Sequence, residues 1–144
     1  MNSTALPAPT PGFVDLPSDP AELERLSGAG LRTFFRVSGL WDLSVDEQMA
    51  LLGLRSRSTY FKWKRDQQAR LDRDQLERIS HVLGIYKALQ ILLPDAAAAD
   101  AWVKRPNRAE PFLGRPALDL MIQGGITGLF NVRRYLDAQR GGWA

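Results

Sequence analysis

Apolar side chains recur three or four positions apart through most of this chain, and no segment alternates apolar and polar residues as a half-buried strand does. That periodicity confines the chain to an all-α fold, a compact multi-helix protein. Leu23, Leu26, Leu31, Phe34, Phe35 and Val37 mark a helical stripe over about 21–40, where the run SGAG at 27–30 predicts a break or two short helices. Ser44 and Glu47 have capping-box spacing ahead of Val45, Met49 and Leu52, and Gly53 suits a tight exit. Ser56 is placed to cap a helix over 57–66. A longer helix, from about 73 to 93, buries Leu76, Ile79, Leu83, Tyr86 and Leu93 and stops at Pro94. Asp95 is expected to cap an alanine-rich helix that ends by Pro106. Pro116 suits the first turn of a helix to about Gln123, and Gly124 and Gly125 separate it from a last helix over about 126–140.

Five of the nine prolines fall in residues 1–20, which predicts a flexible arm. The remainder is long enough for one domain or two small ones sharing a core, divided here as 21–82 and 83–144. There is no cysteine and one histidine, His81, so thiolate and multi-histidine metal sites are not expected. A lone helical histidine reads as a structural or surface residue. No apolar run is long enough for a bilayer, and the expectation is a soluble, cytoplasmic protein without cofactor or metal. The phosphate-loop, dinucleotide and nucleophile-elbow patterns are missing, and the glycine-rich QGGITG at 123–128 follows a helix rather than a strand. No acid, base and nucleophile assemble, so the chain is not expected to be an enzyme.

The charge is unevenly spread. Residues 1–54 hold three basic and seven acidic side chains, residues 55–78 eight and four, and residues 104–115 four and one. Within RSRSTYFKWKR at 55–65, a helical wheel gathers Thr59, Tyr60 and Trp63 on one side and leaves a basic face on the other. A capped helix, a short turn and a helix split in this way form a helix-turn-helix, in which the small Ala50 suits a close approach of the first helix to the second. Arg55, Arg57, Ser58, Phe61, Lys62, Lys64 and Arg65 are the candidate DNA-binding residues. Arg57 is the candidate base reader, Phe61 a partner for a thymine methyl, and Lys62, Lys64 and Arg65 phosphate contacts. Gly53 stands one position earlier than expected for the motif's turn.

The C-terminal segment carries Trp102, Pro106-Asn107, Gly114-Arg115-Pro116, Leu118-Asp119-Leu120, Gly124-Gly125 and VRRYLDA at 132–138. In order and spacing these resemble the toxin-binding domain of the MbcA/ParS/Xre antitoxin family, over about residues 83–141. The upstream Xre-like helix-turn-helix at about 43–66 completes the family's layout. The resemblance implies an antitoxin of a type II toxin–antitoxin system whose partner is a RES-domain toxin that degrades NAD or transfers its ADP-ribose. It further implies a C-terminal domain that covers the toxin's active-site entrance and a helix-turn-helix that binds operator DNA.

Under that resemblance, Arg133, Arg134, Tyr135, Arg140 and Trp143 are the candidate toxin contacts, since a pocket that binds pyrophosphate favours a basic plug and Arg and Trp are enriched at hot spots. Arg115 and Asp119, four apart, are placed to pair, and Gly114 suits either an unusual backbone angle or close packing. A homodimer within a larger hetero-oligomer with the toxin is expected, because a single helix-turn-helix binds operators best as a two-fold pair. The competing readings are a plain helix-turn-helix regulator with a dimerising or ligand-binding C-terminal domain, and a toxin binder whose helix-turn-helix serves assembly alone.

Overall fold

The computed structural model describes residues 19–141. Seven α-helices and one short 3-10 turn make up the described chain: α1 Pro20–Leu40, α2 Val45–Leu52, α3 Arg57–Asp66, α4 Arg73–Leu92, α5 Ala96–Ala101, the turn Trp102–Lys104, α6 Ala117–Gln123 and α7 Gly125–Gly141. The all-α expectation holds. The first eighteen residues of the expected arm lie outside the described residues, but Asp19 caps α1 and Pro20 opens it: the Asp19 carboxylate accepts from the Ala21 amide and Pro20 occupies the first turn.

The expected break at 27–30 does not occur, and α1 runs through SGAG as one helix. Glycine costs a helix interior about 1 kcal/mol relative to alanine, but here packing overrides that preference. A Cβ on Gly30 would lie 3.4 Å from Ile79 of α4, and one on Gly28 would lie 3.5 Å from Gln68. Ser27 is buried and its hydroxyl donates to the Leu23 carbonyl at 2.7 Å. The small residues let α1 lie close against its neighbours, and Leu31, Phe34, Phe35 and Val37 fill the interior behind them.

The capping signals read from sequence appear at α2 and α3. Glu47 N–H donates to Ser44 Oγ at 3.1 Å while Ser44 N–H donates to Glu47 Oε1 at 2.8 Å. Thr59 N–H donates to Ser56 Oγ at 3.2 Å. A second capping box, Asp72 with Gln75, starts α4. Asp95 is a partial correction: its backbone carbonyl accepts from Ala99, but its side chain makes no capping bond. Pro116 stands just before α6 rather than inside its first turn.

Helix α4 is the axis of the fold. Its buried residues Leu76, Ile79, Val82, Ile85, Ala88 and Leu89 are sandwiched between α1 on one side and α7 on the other. The helix crosses the expected division at 82/83, so one core serves both parts. Helices α6 and α7 meet across Gly124 and Gly128, where a Cβ on Gly128 would fall 2.0 Å from the Leu120 carbonyl oxygen. Trp41 of α1 and Tyr86 of α4 have ring centroids 6.5 Å apart, and Lys104 Nζ donates to the Asp42 carbonyl, which ties the later segment back to the α1–α2 turn.

Candidate functional site

Gly53 settles the turn between α2 and α3. It adopts φ +71°, the left-handed conformation in which glycine carries no Cβ penalty, and its amide and that of Leu54 close onto the Ala50 and Met49 carbonyls at 3.2 and 2.9 Å. The chain therefore leaves α2 sharply and reaches Ser56 in three residues. Arg78 of α4 braces this corner, donating from Nη1 to the Ala50 carbonyl at 3.4 Å and from Nε to Asp74 at 2.8 Å.

Tyr60 fastens α3 to the core. It is buried, and its hydroxyl donates to Gln48 Oε1 at 2.7 Å, while Gln48 Nε2 donates to the Leu43 carbonyl at 3.0 Å. Phe35 meets its ring edge-on at 5.8 Å. Trp63 packs half-buried on the same side. Burial pushes the Tyr60 phenol above its ordinary pKa.

With Tyr60 inward, all seven candidate DNA-binding residues, Arg55, Arg57, Ser58, Phe61, Lys62, Lys64 and Arg65, are exposed. Their surroundings differ. Arg57 Nη1 donates to Asp46 Oδ1 at 2.7 Å, and its Cζ lies 5.9 Å from the Phe61 ring centroid. Arg65 pairs with its neighbour Asp66 at 3.0 Å. Lys64 leans back toward α1, with Nζ 5.0 Å from the Phe35 ring centroid. Arg55 and Lys62 make no ion pair among the described residues.

The candidate toxin contacts divide. Arg133 is turned onto α4: it lies across Gly84, where a Cβ would come within 2.6 Å of the guanidinium, and its Nη1 is 3.4 Å from both the Ser80 carbonyl and His81 Nδ1. His81 is buried beneath it, with Glu77 at 3.6 Å and the Phe130 ring beside it, so the lone histidine is part of the α4–α7 contact. Tyr135 is half-buried, stacked on Trp102 at 6.3 Å and edge-on to Phe112 at 5.0 Å. Arg134 and Arg140 are exposed, Arg140 with Asp137 at 3.8 Å. Trp143 lies outside the described residues. Sequence reasoning did not see the anchoring roles of Arg133 and Tyr135, because their partners Gly84, Trp102 and Phe112 are remote in the chain.

The segment 105–116 is a closed loop. Pro106 and Pro116 bridge its ends, Asn107 N–H donates to the Arg115 carbonyl at 3.2 Å, and Gly114 N–H donates to the Asn107 carbonyl at 2.7 Å. The Asn107 side chain accepts from Ala109 N–H. Gly114 has φ +92° with open space where a Cβ would be, so conformation rather than close packing explains it. Phe112 is buried inside the loop and Leu113 is 71% exposed at its tip. Arg115 pairs with Asp119 at 3.7 Å, as their spacing suggested.

These parts correspond to known families. Residues 20–84 match the antitoxin Xre-like helix-turn-helix domain, and residues 88–142 match the antitoxin Xre/MbcA/ParS C-terminal toxin-binding domain. This chain belongs to the Xre/MbcA/ParS antitoxin family. The Sinorhizobium fredii protein y4oB is 50% identical to it over 114 residues, covering 79% of this antitoxin and 86% of that relative. In the antitoxin, the helix-turn-helix match takes in α1 to the middle of α4, and the toxin-binding match takes in the end of α4, the closed loop, α6 and α7. No helix among the described residues is long and apolar enough to cross a membrane, and no group of three or more His, Asp or Glu side chains there is placed to hold a metal ion.

Proposed function

We propose that this antitoxin neutralises a NAD-consuming RES-domain toxin by covering its active-site entrance with the C-terminal region, and that it binds its own operator through α3. The observation that carries the reading is the joining, on the single helix α4, of a capped helix-turn-helix with an exposed basic face to a segment matching a toxin-binding domain. The protein works by binding and not by catalysis, as a dimer within a larger complex with the toxin, in the cytoplasm where NAD and operator are both present.

For toxin contact, Arg134 and Arg140 remain outward, while Arg133 and Tyr135 act by holding α7 in place. Two exposed guanidinium groups suit a pocket built for pyrophosphate.

Co-expression with the product of the adjacent reading frame tests this reading. A stable complex with a RES-domain protein, together with recovery of growth, is the expected result. Absence of both would leave a regulator whose C-terminal helices serve dimerisation. A chain truncated after Ala138, which lacks Arg140 and Trp143, tests the C-terminal plug: weaker toxin binding is expected, and unchanged affinity would discard the plug.

A further inference from the structure

Asp46 is an acidic side chain where a DNA-binding surface would favour a neutral or basic one. It is the second residue of α2, its side chain is 86% exposed, and it sits beside Arg57 at the start of the recognition helix. Neighbouring Glu47 is committed to the capping box. Asp46 takes no part in that cap, and its partner is Arg57, at 2.7 Å. A carboxylate here repels phosphate and lowers affinity for every duplex alike.

We infer that Asp46 is a positioning residue for sequence recognition: it holds the Arg57 guanidinium in the orientation that reads a base edge. The inference rests on the DNA-binding reading of α3. Arginine has five N–H donors in a planar fork, and the bond to Asp46 uses Nη1, leaving Nη2 and Nε to address the two acceptors of a guanine. Phe61 limits the guanidinium on a second side, with its ring centroid 5.9 Å from Cζ. A long side chain that would otherwise sample many rotamers in solvent is thereby restricted before DNA arrives. Asp46 gives up general affinity for phosphate and gains discrimination between bases.

The experiment uses the full chain. It selects a preferred duplex from a random library, and binding of that duplex and of a scrambled one of equal length is then measured at one salt concentration. Wild type, Asp46→Asn, Arg57→Ala and the double variant are compared. Asp46→Asn is expected to raise binding of the scrambled duplex and to lower the preference for the selected one by about tenfold. The loss should fall at the same base pair that Arg57→Ala relaxes, and Asp46→Asn should leave the preference unchanged once Arg57 is alanine. Equal tightening on both duplexes would show Asp46 to be a mere screen of positive charge and overturn the inference. A lowered preference that persists without Arg57, or an Arg57→Ala variant that discriminates as well as wild type, would overturn it too. If the wild-type chain selects no sequence at all, the DNA-binding reading falls with it.

Discussion

The Tyr60 hydroxyl donates to Gln48 Oε1 at 2.7 Å, and both side chains are buried. This bond joins α2 to α3 and fixes how α3 stands on its support. Tyr60→Phe leaves the amide oxygen of Gln48 without its donor in a site closed to water, at an expected cost of about 1–3 kcal/mol. Urea denaturation at neutral pH measures it.

The same tyrosine gives stability an alkaline limit. Burial raises the Tyr60 pKa in the folded state, so the folded chain retains a proton that the unfolded chain releases near the ordinary phenol value of 10.0. Its contribution is fully present below that pH and is lost as pH rises through the folded-state value. Denaturation midpoints from pH 8 to 11 should fall more steeply for wild type than for Tyr60→Phe.

On DNA, Arg57→Ala should relax preference at one base pair, with a loss of about 1–3 kcal/mol of discrimination. Lys62→Ala should weaken all duplexes alike and reduce the dependence of log affinity on log salt by about one. Fluorescence anisotropy over a salt series reads both, and unchanged affinity in both variants would remove α3 as the recognition helix.

Arg133 and Arg134 are adjacent and should behave oppositely. Arg133→Ala removes the side chain that spans Gly84, Ser80 and His81, and should lower stability by about 1–2 kcal/mol. Arg134→Ala touches no such contact and should stay within about 0.5 kcal/mol of wild type while weakening the toxin complex. Thermal melts with a pull-down on the same two variants distinguish the roles.

Glycine substitutions grade the helix contacts. Alanine at Gly128 would drive a Cβ to 2.0 Å from the Leu120 carbonyl oxygen, backbone that cannot step aside without moving α6. The expected cost is about 3 kcal/mol or more. Alanine at Gly84 meets the Arg133 guanidinium, the flexible end of a long side chain, and should cost less. Calorimetric melting temperatures rank the two.

What the sequence made legible was local. The caps at Ser44 and Ser56, the turn at Gly53 and the division of α3 into a packing side and a basic side are set by residues a few positions apart. The unbroken α1 was hidden because Gly28 and Gly30 read as helix breakers until Gln68 and Ile79 are seen beside them. On α7, Arg133 and Tyr135 flank the buried stripe of Leu129, Val132 and Leu136, and a helical wheel cannot say which flank is covered. Coverage comes from α4 and from the loop carrying Phe112, partners separated from α7 by turns and helices.

The two family matches end at residue 84 and resume at residue 88, a seam inside α4 between the buried residues Ile85 and Ala88. A chimera joined at that seam would splice two unrelated helix faces within one turn and leave α1 and α7 gripping mismatched halves of the same rod. Crossovers between relatives should instead fall in the connection at 67–72, so that α4 is inherited whole.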